Sequence, residues 1–264
     1  MSELGRSRRV RALVWAVAAV LGLATGCSLL AKKTPTPAAQ IDANELAHRT
    51  PPPNERYYVL LFGSHDALHQ IRYSHTWATL IRATDIPGQR QAVLDVQTIS
   101  WYPATREIRP WSFQIEPGTN LGLHETIRLM HATDQQVYMW GPYEVWHGLA
   151  HRFQVQKAFL ESGSVGYQCV DTVGEAARTG GACDCIHALS DMDPDYPRWR
   201  YPLAFYGAPA TENLVRRMMH SPGTVLGCGQ THDWLLEPLG LCDASLHRRT
   251  YHGRIVPRRS IPPS

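Results

Sequence analysis

The feature that most limits what this chain can fold into is its first 26 residues. Arg6, Arg8, Arg9 and Arg11 form a basic start, an apolar run follows from Ala12 to Ala24, and Thr25-Gly26-Cys27 comes next. A helix needs about 20 apolar residues to cross a bilayer, and this run is shorter, so it reads as a targeting segment that takes no part in the fold. The stretch from Cys27 to Asn54 is rich in Pro, Ala, Thr and small polar residues, with Pro35, Pro37 and the triplet Pro51-Pro52-Pro53. Too little apolar area is available there to offset ordering entropy, so residues 27–54 are predicted to be a disordered, Pro-stiffened tether. Residues 55–253 then suit one domain with a full hydrophobic core, and the Pro- and Arg-rich tail, 254–264, is expected to fray.

The segment Leu23-Ala24-Thr25-Gly26-Cys27 resembles the lipobox of bacterial lipoproteins. That resemblance implies cleavage before Cys27, acylation of its thiol and amine, and a protein held to a membrane of the cell envelope, facing the periplasm or exterior. Acyl chains bury methylenes at about 0.8 kcal/mol each, so two or more anchor a protein stably. Losing residues 1–26 removes four of the 26 Lys+Arg and one of the 23 Asp+Glu, leaving 22 of each before the 13 His are counted. A chain so balanced offers no basic face of the kind that nucleic acid requires.

Within the domain, Tyr57–Phe62 is an apolar run and Tyr73–Ala83 alternates loosely, so both read as strands. Ala92–Trp101 is β-branched-rich and follows the turn signal Asp85-Ile86-Pro87-Gly88, which predicts an antiparallel hairpin with the strand before it. Trp111–Ile115, Val137–Trp140 and Val165–Val170 are shorter strand candidates. Helices are predicted from Asn120 to about His131, over Tyr143–Glu161, from Cys185 with Asp184 as cap, near Thr211–Met219 and near Asp233–Leu236. The expected fold class is α+β, an antiparallel sheet with packed helices.

Six cysteines occur, at 27, 169, 183, 185, 228 and 242. With Cys27 taken by lipid, five remain in an oxidising compartment, an odd number. Sequence-close pairings would join Cys228 to Cys242 and Cys169 to Cys183, leaving Cys185, with Cys169 the next choice for the odd thiol. Cys185 opens a predicted helix, where unpaired N–H groups and the positive helix end favour a thiolate and could cradle an oxyanion. A thiol needs a base, and His75 in Tyr73-Ser74-His75-Thr76-Trp77-Ala78 stands inside a strand where an apolar residue would be expected. The neighbouring strand Leu94-Asp95-Val96-Gln97-Thr98 offers Gln97 or Asp95 to orient the imidazole; sequence does not choose between them.

These windows carry a second resemblance. Ser74-His75-Thr76-Trp77-Ala78 and Asp184-Cys185-Ile186-His187 resemble the histidine strand and the Asn-Cys-x-His nucleophile signature of the permuted branch of the NlpC/P60 papain-like superfamily, which includes lecithin:retinol acyltransferase-like proteins, with Asp in place of Asn. The resemblance implies a permuted papain-like fold and a thiol enzyme acting on amides or esters, cell-wall peptides or acyl substrates among them. In that scheme Cys185 is the nucleophile and His75 the base. The departures are the neighbouring Cys183, which could pair with Cys185, and the lack of the small-residue partner motif, so a non-catalytic lipoprotein that binds an envelope component or protein partner is the alternative.

Other patterns weigh less. His147 and His151 lie one turn apart beside Glu144 but do not form His-Glu-x-x-His, and His65 and His69 are expected in a turn away from His75, so no metal is expected. No phosphate loop, dinucleotide fingerprint or Gly-x-Ser-x-Gly elbow occurs, and no cofactor is expected. The eight Trp fit core and loop anchors better than a carbohydrate groove.

Overall fold

A computed structural model describes residues 35–42, 45–46, 49–172, 176, 179–193, 196, 205–242 and 245–251. The signal segment, Cys27 and the tail 254–264 lie outside the described residues. The chain runs α1 (Pro37–Gln40), β1 (Glu55–His65), β2 (Ser74–Thr84), β3 (Val93–Ile99), β4 (Trp101–Pro103), β5 (Glu116–Asn120), α2 (Leu123–Ala132), β6 (Gln136–Val145), α3 (His147–Glu161), β7 (Gly166–Tyr167), β8 (Ala182–Cys183), α4 (Cys185–Ser190), α5 (Gly207–His220) and β9 (Leu246–Arg249). The α+β expectation holds.

The main sheet has the order β3-β2-β1-β6-β9, antiparallel except for β9, which runs parallel to β6. A smaller sheet has the order β4-β5-β7-β8. The predicted hairpin is present, with Ala78 opposite Ile99 and Thr84 opposite Val93. Strand β2 is buried along nearly its whole length, because α4 and α5 pack on it while Trp77 and Ile81 fill the core. Its polar members are matched rather than solvated: Thr79 and Thr98 hydroxyls lie 3.0 Å apart. Helix α5 comes so close to β1 that a Cβ on Gly63 would stand 2.7 Å from the Ala208 Cα.

Several predicted segments differ: Asn120, expected to open a helix, ends β5, and α2 starts at Leu123 after Gly122, while the strand expected over Val165–Val170 is confined to Gly166–Tyr167. Strand β6 runs on through Gly141-Pro142 to Val145, so the long helix begins at His147 instead of Tyr143. Gly141 has φ +95° and a Cβ there would meet the Val59 carbonyl at 2.7 Å, which is why a glycine serves at this irregularity of the β1–β6 ladder, a place that looks like a helix start in sequence. Trp111–Ile115 forms no strand; the strand follows it as β5, and Trp111 stands in solvent.

The predicted disordered tether needs correction over its described part. Thr36 caps α1, Pro37 takes the first helical position, and Ala38 and Leu46 are fully buried. Arg152 of α3 holds the segment by donating to the carbonyls of Ala38 (3.0 Å) and Ile41 (2.7 Å), and it reaches Met192 as well (2.9 Å). His147, one of the discounted helix histidines, contacts the Leu46 carbonyl at 3.1 Å. A guanidinium bond to a carbonyl contributes about 1.5 kcal/mol, so Arg152→Met should speed thermolysin cleavage beside Leu46 by about tenfold or more; an unchanged cleavage rate would contradict the docking.

Candidate functional site

Cys185 is the first residue of α4, and the cap expected from sequence is formed: Asp184 Oδ1 accepts the His187 backbone N–H at 2.7 Å. The helix packs on β2. The backbone amides of Thr76 and Cys185 favour a thiolate, but burial outweighs them, and with the Asp184 charge beside it the thiol is pushed well above its ordinary range. Cys169 is raised as well, by burial first and then by the charges of Asp184 and Asp171.

His75 is fully buried in β2, stacked on Trp77 at 5.3 Å and edge-on to Tyr102 at 4.9 Å. Burial lowers its pKa to about 3, so the ring is neutral. Its Nε2 lies 2.8 Å from the Ser100 hydroxyl, Ser100 lies 2.9 Å from Thr126, and Thr126 lies 2.9 Å from the Gly122 carbonyl. The Thr126 hydroxyl donates, to Ser100 or to Gly122, and in the tautomer protonated on Nε2 the Ser100 hydroxyl accepts from His75 as well. His75 Nδ1, which has no hydrogen-bond partner, then carries a lone pair, a cheaper orphan in a core than an N–H.

Ser100 therefore occupies the orienting position that the sequence offered to Gln97 or Asp95. The hairpin register sets Gln97 opposite Leu80 and Asp95 opposite Arg82, five and seven residues along β2 from His75, or roughly 17 and 23 Å. Asp95 is instead bonded to Arg82 and Gln97, each at 3.2 Å. Carrying the same register past Ala78–Ile99 points the Ser100–Tyr102 stretch at His75. Sequence could have yielded this once the hairpin was fixed.

The space beside Cys185 is about 10 Å³, bounded by Ile71, Ser74, Ile108, Tyr167, Cys169 and Tyr206, room for about one water. Cys169 and Cys185 carry free thiols, so the expected Cys169–Cys183 bond is not made. Cys183 pairs with Tyr167 in the β7–β8 ladder, and Cys169 follows two residues after Tyr167, the end of β7. Cys242 is an exposed free thiol, and the Cys228 side chain lies outside the described residues.

Sequence reading did not single out a third group. His187 Nδ1 lies 2.7 Å from Asp171 Oδ1 and 3.1 Å from Asp184 Oδ2, all three side chains buried. Among the described residues these three also form a set of atoms close enough to share a metal ion, all within 4.8 Å of one another. The short N···O separations suit a charge-assisted pair. The discounted His65 ends β1 and stacks on His69 at 4.0 Å.

The chain matches no known protein family, no characterised relative and no solved structure.

The neutral imidazole sets an acid response. An unfolded histidine takes a proton near pH 6.5, whereas folded His75 resists until about 3, so between those values the unfolded state binds more protons and stability falls with pH, by up to about 1.4 kcal/mol per unit. Urea unfolding of His75→Gln should show a slope from pH 6 to 4 shallower by about one proton. Equal slopes would mean that His75 titrates normally.

Proposed function

We propose that this chain is a lipid-anchored protein of the bacterial envelope, of permuted papain-like architecture, that works by binding an envelope component or protein partner, with the Cys185–His75 centre serving as core. The supporting observation is the closed space at Cys185: about 10 Å³ admits no acyl or peptide substrate, and burial holds the thiol and the imidazole neutral. A nucleophile needs the reverse, a thiolate beside a base in an open cleft.

A second reading has one observation in its favour. The lone pair left on His75 Nδ1 is what a general base presents, and β2, which carries His75, packs against the helix that Cys185 opens. In that reading Ile71, Ile108 and Tyr206 move aside, His75 takes the thiol proton, the sulfur attacks an amide or ester carbonyl, and the C–N or C–O bond breaks as His75 returns the proton to the departing amine or alcohol. The acyl-enzyme then passes its acyl group to water or another acceptor.

Alkylation of the reduced protein separates the two. With iodoacetamide at pH 8, exposed Cys242 should react rapidly and serve as the internal reference, while Cys185 reacts on the order of 100-fold more slowly unless the protein is unfolded. Fast Cys185 modification that is lost in His75→Ala would establish the thiol enzyme instead. The anchor has its own test: Cys27→Ser should abolish metabolic labelling with palmitate and release the protein from membranes, and retained label would place the lipid elsewhere.

A further inference from the structure

A cleft of about 1,060 Å³ lies on the side of the molecule formed by β9, the ends of β1 and β6, and one side of α5. We propose that it binds an acidic oligosaccharide, a sugar chain carrying phosphate or carboxylate groups. This inference rests on the reading of the chain as an envelope binding protein and names what it would bind.

Charge is the first support. Arg216, Arg248, Arg249, His65, His69 and His220 line the cleft, and Glu212 is the one acid among its lining residues. Arg216 is 3.5 Å from Glu212 and Arg248 is 2.6 Å from Asp233, so those two cations are answered. Arg249 makes no ion pair among the described residues. Its guanidinium lies 4.9 Å over the Tyr138 ring. Tyr138 is itself fixed in a column of rings: His69 on His65 at 4.0 Å, His65 on Tyr138 at 5.0 Å, and Tyr138 on His247 at 5.2 Å. The cation is thus exposed yet preset, which lowers the ordering cost of gripping an anion.

Two further features point the same way. Helix α5 lies along the wall of the cleft from Ala208 to His220 and sets Arg216 and His220 in it. His65, 8% exposed, also stands in that wall, with Nδ1 lacking any hydrogen-bond partner. The shape argues for a chain rather than a flat bilayer. The volume is at the top of the range of about 300–1,000 Å³ for small-molecule sites, enough for more than one sugar ring. Gln136, Thr250 and Tyr251 supply amide and hydroxyl groups for sugar hydroxyls, and the Tyr251 hydroxyl is already 3.2 Å from His220 Nε2.

Calorimetry on the full chain in detergent tests this with five probes: trigalacturonic acid for carboxylates, phosphorylated mannopentaose for phosphates, unmodified mannopentaose, inorganic phosphate, and phosphatidylglycerol vesicles. At least one acidic sugar should bind, its affinity falling tenfold or more in Arg249→Gln and as salt is raised, while unmodified mannopentaose does not bind. Arg249 is exposed on an edge strand, and Arg216→Gln, expected to weaken the same binding, is the second variant should the first unfold. Equal binding of the neutral sugar, inorganic phosphate as tight as its sugar ester, preference for vesicles, or indifference to both variants would each overturn the proposal. Binding of no probe would also overturn it, while leaving the slow alkylation of Cys185, and with it the reading of a closed thiol, intact.

Discussion

The buried contact of His187 with Asp171 and Asp184 fixes α4, and with it Cys185, against β2. Asp184 caps α4 and turns its second oxygen to His187, whose ring nitrogen also faces Asp171. Asp184 and His187 both move with α4, so displacing the helix would separate the His187 imidazole from the buried Asp171 carboxylate, and breaking a buried pair costs about 3–5 kcal/mol. The thiol is held by a rigid frame.

That frame accounts for the conflict at the centre. A helix start with unpaired N–H groups favours a reactive cysteine and a strand histidine offers a base, and these are what drew attention to Cys185. Burial reverses the outcome, because desolvation acts on the charged forms of both partners and nothing in the 10 Å³ space replaces water. The motif and the chemistry have come apart. The Ser100–Thr126–Gly122 chain keeps His75 oriented all the same, as a core histidine or an aligned base would equally require.

Features governed by short stretches of chain were legible in the sequence. The Asp184 cap and the β2–β3 hairpin follow from neighbours a few residues apart, and both are present. What escaped depends on distant partners. Pro35 to Leu46 looks like a tether because its own composition cannot order it; Arg152, more than a hundred residues on, does. Gly141-Pro142 looks like a helix start because sequence does not reveal that β6 passes alongside Val59. Ser100 was hidden behind an unassigned register, and Asp171 gains its role only where the fold brings it to His187.

The central claim is that thiol and imidazole are both neutral in the folded protein. Nitrogen-15 NMR of histidine-labelled protein reads this directly at His75. The neutral ring protonated on Nε2 should persist from pH 8 down to pH 4. A His75 doubly protonated at pH 7, the mark of a thiolate–imidazolium pair with Cys185, would contradict it.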